Sequence, residues 1–238
     1  MRKPPSPSRP PAARRKAPGG AAPPGHKRPP GRPGGDGPDL RERLLDAALA
    51  CYVRRGIAAT SVREIATEAG VTPALLHYYF GDAAKLRDAV IEHRLMPVFR
   101  SVREPLLKTE EGDLAALVAG FVNGVCGLVD RHPWLPALWV REVVSEGGAL
   151  RDLLVARVAP ELALLMSSRF AQAQAQGRLN PDLDPRLLMV SLIGLTLFPA
   201  AGAPIWRRLF DAQDLGMDDV RMHALALLDR GLELDDAK

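Results

Sequence analysis

Pro73, Ala74, His77 and Tyr78 set two small apolar surfaces beside an imidazole and a phenol, inside the stretch TSVREIATEAGVTPALLHYYF of residues 60–80. That set suits the edges of a DNA groove. Apolar groups meet thymine methyls, and ring N–H and O–H groups reach phosphates or base edges. Leu76 and Phe80, four residues apart, mark the inward side of a helix and leave the other four on its outward side. Ordinary surface or half-buried roles for His77 and Tyr78 in a small helical domain fit the spacing equally well. Catalysis has no comparable support. There is no Gly-rich phosphate loop, HExxH pair or GxSxG elbow, and the five histidines (His26, His77, His93, His132, His223) are scattered. No catalytic residue, metal or cofactor is expected.

The local sequence positions these side chains with short-range signals. Ser61 followed three residues later by Glu64 is a capping-box signature for a helix start. Val62, Ile65, Ala66 and Ala69 then recur at helical spacing, with Arg63, Glu64, Thr67 and Glu68 outward. Gly70 is placed to end this helix in the left-handed conformation, with Val71 turned inward. Thr72 is placed to cap a second helix, and Pro73 stands at its first position, where a missing N–H costs nothing. Two helices separated by Gly-Val-Thr predict a helix-turn-helix, whose second helix enters the major groove.

The run from Arg41 to Leu95 resembles the DNA-binding domain of the TetR family of bacterial repressors. The likeness rests on a first helix ending at Gly56, on Thr60-Ser61-Val62, Ile65-Ala66 and Ala69-Gly70-Val71, and on the aromatic cluster from Tyr78 to Phe80. It implies DNA contacts from Arg63 and from the helix between Thr72 and Tyr79. The family's phosphate-binding lysine is matched by Ala83, and Lys85 is the nearby candidate for its role. The expected DNA-contacting set is therefore Ser61, Arg63, Thr72, Pro73, Ala74, His77, Tyr78, Tyr79 and Lys85.

Around this head the chain is predicted to be all-α. Asp39 and Glu42 repeat the capping-box spacing ahead of a first helix that ends at Gly56, and Asp82 is placed to cap a long helix in which Pro97 predicts a kink or break. Helical patterns then cover residues 114–129, 134–144, 150–176, 185–199 or beyond, a short stretch near Trp206, and 217–230. The expected organisation is a tail over 1–38, a three-helix head over 39–95, and a helical ligand-binding and dimerisation bundle over 96–238. Cys51 and Cys126 lie among apolar neighbours and are read as packing residues. No uninterrupted apolar run of membrane-spanning length and no secretory h-region is present, so no membrane partner and a cytoplasmic location are expected.

The helix after Arg186 is apolar nearly all round, which calls for cover from a second subunit or from its own core. The resemblance implies a homodimer in which this helix, through Leu188, Leu192 and Leu195, packs with Met222 and Leu225 of the last helix. Phe121, Trp134, Trp139, Met166 and Phe170, with His132 and Arg141 as polar anchors, are the candidate pocket for an unidentified small-molecule effector. Core packing explains the same residues equally well. The expected function is a ligand-responsive repressor released from a palindromic double-stranded DNA operator. The alternative is a helical adaptor that binds protein and no specific DNA.

Charge is unevenly divided. Residues 1–38 hold nine Lys and Arg against the single acid Asp36, a balance of +8, which leaves 23 basic and 27 acidic residues, or −4, for 39–238. The Pro- and Gly-rich tail has almost no large apolar side chain and is expected to stay unfolded, so its cations can follow phosphates without reading bases. Deleting residues 1–38 should flatten the slope of log K against log salt by about 3 to 5 and lower operator and random-DNA affinity by similar factors. Equal slopes for the two forms would mark the tail as inert.

Overall fold

Local signals and long-range packing can be separated element by element in the computed structural model, which describes residues 38–232. The tail expected over 1–38 lies outside the described residues except for Pro38, which already begins α1 (Pro38–Arg55). Asp39, expected ahead of the first helix, is thus inside it. α2 (Val62–Ala69) and α3 (Pro73–Phe80) follow. Both bonds of the capping box are present: the Glu64 N–H donates to Ser61 Oγ at 3.3 Å and the Ser61 N–H donates to Glu64 Oε2 at 2.8 Å. Gly70 adopts φ 68, ψ 33, a left-handed conformation a side chain would oppose, and Val71 packs half-buried against the head core. Leu44, Leu45, Ala48, Ile65, Leu76 and Leu86 close that core.

From the head the chain continues as one long rod. α4 (Ala83–Val90) is capped by Asp82, whose Oδ1 accepts the Lys85 N–H at 2.8 Å. It passes through a π-helical turn, Ile91–Leu95, into α5 (Met96–Leu107). The turn lies just before Pro97, which cannot donate to the carbonyl four residues back. The freed His93 carbonyl instead accepts from Arg94 Nη1 at 3.4 Å. The expected break at Pro97 is therefore a wide turn within a continuous helix.

The remaining helices are α6 (Leu114–Arg131), α7 (Leu135–Trp139) with a π turn at Val140–Val144, α8 (Arg151–Leu153) leading through a π turn at Leu154–Val158 into α9 (Ala159–Ala175), α10 (Pro185–Leu209) and α11 (Met217–Leu232). α10 runs unbroken through Pro199 and Pro204, so the stretch near Trp206 belongs to it, and Trp206 Nε1 donates to the Pro199 carbonyl at 2.7 Å. Cys51 and Cys126 are buried, and burial pushes the Cys126 thiol up to about 11.

Buried apolar side chains form two clusters. One runs from Val98 to Leu232 around Leu117, Met166, Phe170 and Leu192. The other holds the head up to Met96, and it also recruits Leu138, Val143 and Leu150 from the region of α7. At that junction the buried Glu142 carboxylate accepts the Ile57 N–H at 2.9 Å through Oε1 and the Ala149 N–H at 3.2 Å through Oε2. Arg141 Nη1 donates to the Val53 carbonyl at 2.8 Å. A Cβ on Gly56 would sit 2.9 Å from Glu142 Oε1, so the end of α1 can approach this closely only as glycine.

α10 shows two different faces. Leu188 and Leu192, expected at a partner surface, are buried in the protomer's own core, and Leu195 is half-buried there; Leu225 is likewise half-buried on α11. They lie on the side of α10 turned toward α6 and α9. Leu187, Val190, Phe198, Ile205 and Leu209 point outward and are 60–74% exposed, and Met222 of α11 is 59% exposed. By length and composition, Leu114–Arg131 and Pro185–Leu209 are both apolar enough to cross a membrane. Gly, Asn, Ser, Thr and Pro interrupt their apolar runs, so neither is a continuous apolar stretch in the sequence. Half of the apolar window in α6 is buried in the bundle, whereas only 22% of that in α10 is, so α10 carries the uncovered apolar surface.

Replacing Glu142 with Ala strands the buried Ile57 N–H and should cost about 1.5 to 3 kcal/mol, the range for a hydrogen bond to a charged group. Urea unfolding measures this. A variant as stable as the parent would show that the junction is held by apolar packing alone.

Candidate nucleic-acid interface

The outward face of α3 is set by the buried pair Leu76 and Phe80, which turn the opposite side of the helix to the surface. Pro73, Ala74, His77 and Tyr78 are all exposed, and Tyr78 is 81% so, although it has an edge-to-face neighbour in Tyr79 at 5.4 Å between ring centroids. Tyr79 is half-buried against the head core. The His77 ring is anchored by Nδ1, which lies 2.7 Å from the Gly81 carbonyl at the C-terminus of its own helix. With Nδ1–H donating to that carbonyl, Nε2 is the nitrogen left to face outward.

Thr72 stands at the N-cap with extended backbone, yet its side chain makes no cap bond. Its exposed hydroxyl therefore remains available to a phosphate, a difference from the expected capping role. Ser61 is committed differently, since its Oγ takes part in the capping box and also donates to Glu64 Oε2 at 3.0 Å. These bonds, together with the Arg55–Glu64 ion pair, hold the Glu64 carboxyl below its ordinary range. Arg54 pairs with Glu68 at 2.5 Å, so both arginines at the end of α1 are drawn onto α2, whereas Arg63 is exposed. Lys85 lies over Gly81 with Nζ 3.8 Å from Asp82 Oδ2, on the same end of α3 as His77.

Residues 44–90 match the sequence profile of the bacterial regulatory proteins, tetR family. The head is similar to the DNA-binding domain of that family. The chain is 38% identical over 84 residues to the HTH-type transcriptional regulator BetI of Brucella anthropi, covering 34% of this chain and 43% of BetI. The chain thus spans less than half the length of the curated relatives it matches. Its fold resembles that of the ketosteroid transcriptional regulator KstR2 of Mycobacterium tuberculosis, with a TM-score of 0.64, 21% identity, and coverage of 83% of this chain and 97% of KstR2. AibR, solved in complex with isovaleryl coenzyme A and operator DNA, matches with a TM-score of 0.61, 18% identity, and coverage of 79% and 97%. These structural likenesses extend the TetR-like fold from the head through the helical bundle.

Behind the TetR-like head, the bundle encloses a cavity of about 120 Å³ between α5, α6, α7, α9 and α10. Phe121 and Trp139 line it. The other proposed pocket residues lie elsewhere. Met166 and Phe170 are fully buried further along α9, where they fill the core. His132 and Trp134 stack on each other at 5.4 Å between ring centroids, in the turn ahead of α7. Arg141 is spent on Val53. Sequence reasoning missed Phe99, Arg103, Leu154, Leu162, Met189 and Ile193, which complete much of the wall. Aliphatic residues at helical spacing carry no mark that separates a cavity wall from a filled core. Arg103, a charge at helical spacing from Phe99 and Leu106 on α5, was the one legible signal.

Proposed function

We propose that this protein is a homodimeric, ligand-responsive DNA-binding transcription regulator, a repressor released from a palindromic operator by a small molecule. The observation that carries this reading is the outward face of α3: in a TetR head, Pro73, Ala74, His77 and Tyr78 stand exposed together on the helix that such a fold lays in the major groove. Arg63, the free hydroxyl of Thr72, Tyr79 and Lys85 flank that face and supply phosphate contacts that fix its register, with Ser61 at the margin. A chromosomal operator as partner places the protein in the cytoplasm.

Twofold operators call for two heads, and the outward face of α10 is the surface a second copy would cover. Leu187, Val190, Phe198 and Ile205, with Met222 of α11, form this proposed dimer surface in place of Leu188 and Leu192. The effector would enter the cavity behind the head. Trp139, Leu154, Val158 and Phe99 line that cavity and also pack against the head core. Trp139 is followed directly by the turn that holds Glu142 and Arg141 on the end of α1. Filling the cavity therefore bears on the head through α7 as well as through the rod of α4 and α5. Linkage then requires operator DNA and effector to weaken each other by the same factor.

Selection of binding sites from random DNA with the purified protein tests the reading directly, and an outcome with no enriched sequence would favour a helical adaptor. On the selected site, Tyr78→Ala or His77→Ala should cost about 1 to 3 kcal/mol of affinity. Unchanged binding by both folded variants would remove α3 as the reading helix. Phe198→Glu should give a folded monomer by sedimentation that loses the palindromic site, whereas Leu192→Glu should unfold the bundle. A parent protein that is monomeric at micromolar concentration would refute the dimer.

A further inference from the structure

The cavity wall is apolar except at one point. Phe99, Val102, Phe121, Trp139, Leu162 and Ile193 are representative of it, and Arg103 of α5 is its single charged residue. Apart from Arg103, the wall offers no charged or amide partner to hold water, and its volume is well above the roughly 10–15 Å³ that one water needs. An apolar body is the natural occupant.

Arg103 is only half used. Its Nη1 donates to Glu161 Oε2 of α9 at 2.7 Å, and the Glu161 side chain is 58% exposed, so solvent carries much of that carboxylate's charge. Arg103 Nε is buried and has no hydrogen-bond partner among the described residues. In a planar guanidinium, Nε–H and one N–H of Nη2 point the same way and form the fork that matches the two oxygens of a carboxylate. The pairing with Glu161 through Nη1 leaves this fork vacant. An unpaired buried donor of a cation is costly, and a ligand that satisfies it recovers that cost.

We infer that the effector is an apolar monocarboxylic acid, its hydrocarbon body in the cavity and its carboxylate on the Nε/Nη2 edge of Arg103. This rests on the ligand-responsive reading above. The Arg103–Glu161 pair bridges α5 and α9 at the cavity, so a carboxylate on the free edge would tie the ligand to both helices at once. A coenzyme A thioester also joins an apolar chain to an anion, but its acyl end carries no charge for this fork.

Titration calorimetry of the full chain with octanoate, 1-octanol and octanoyl coenzyme A distinguishes these sources. Octanoate should bind at least about tenfold more tightly than the alcohol, the low end for a hydrogen bond to a charged group. Arg103→Met should abolish that preference while leaving alcohol binding unchanged. Glu161→Gln, which frees the guanidinium without removing it, should bind octanoate at least as tightly as the parent. If Arg103→Met proves unfolded by thermal melting, weaker octanoate binding by Glu161→Gln overturns the inference. Equal binding of acid and alcohol, or of octanoate by parent and Arg103→Met, also overturns it, as does binding of the thioester alone. Octanoate binding through Arg103 with no change in operator affinity would sustain the site and refute the ligand-responsive reading, which separates the two failures.

Discussion

A buried carboxylate joins the two working parts of this protein. Glu142 is 4% exposed and its two oxygens accept backbone N–H groups from opposite sides, Ile57 of the head and Ala149 of the bundle. A charge removed from water persists only where such bonds compensate it, so the geometry at this point tolerates little slack. The glycine at 56, the Arg141 bond to the end of α1, and the π turn that carries both side chains all follow from the close approach. Arg151 secures the turn from the other side by donating to the carbonyls of Val143, Val144 and Ser145.

Because that turn directly follows Trp139, the same ten residues serve three structures at once: the cavity wall, the head core and the contact with α1. Packed interiors shift between discrete arrangements rather than deforming smoothly. A change of occupancy at Trp139, Leu154 and Val158 therefore has a short physical route to the head. The π turns at Ile91–Leu95 and Leu154–Val158 are each followed within two residues by a proline, Pro97 and Pro160, and wide turns of this kind absorb the missing donor without breaking the helix.

The surface divides by chemistry. On the head, aromatic and small side chains of α3 face outward beside Arg63 and Lys85, while Arg54 and Arg55 are held on α2 by acidic partners. At the far side, the outer face of α10 presents large apolar groups that no other described element covers. One face is suited to a polyanion with readable edges and the other to a second apolar surface. The rod of α4 and α5 spans the distance between the head and the bundle.

Features that depend on neighbours a few residues away are legible along the chain. The Ser61–Glu64 box, the left-handed Gly70, Pro73 at the start of α3 and the inward pair Leu76 and Phe80 are all interactions within one or two helical turns, so their spacing is their geometry. The all-helical pattern is legible for the same reason. Two short-range signals did not carry through: Thr72 has the right type and backbone for a cap but leaves its side chain unbonded, and α10 continues through Pro199 and Pro204. The tertiary structure alone decided the rest. A helix apolar on every side does not say which side meets its own bundle, and Leu192 turns inward and Phe198 outward only once α6 and α9 are in place. Glu142 meets Ile57 across 85 residues, and Arg103 meets Glu161 across 58. No periodicity along the chain encodes such distances, because they are set by how the helices pack.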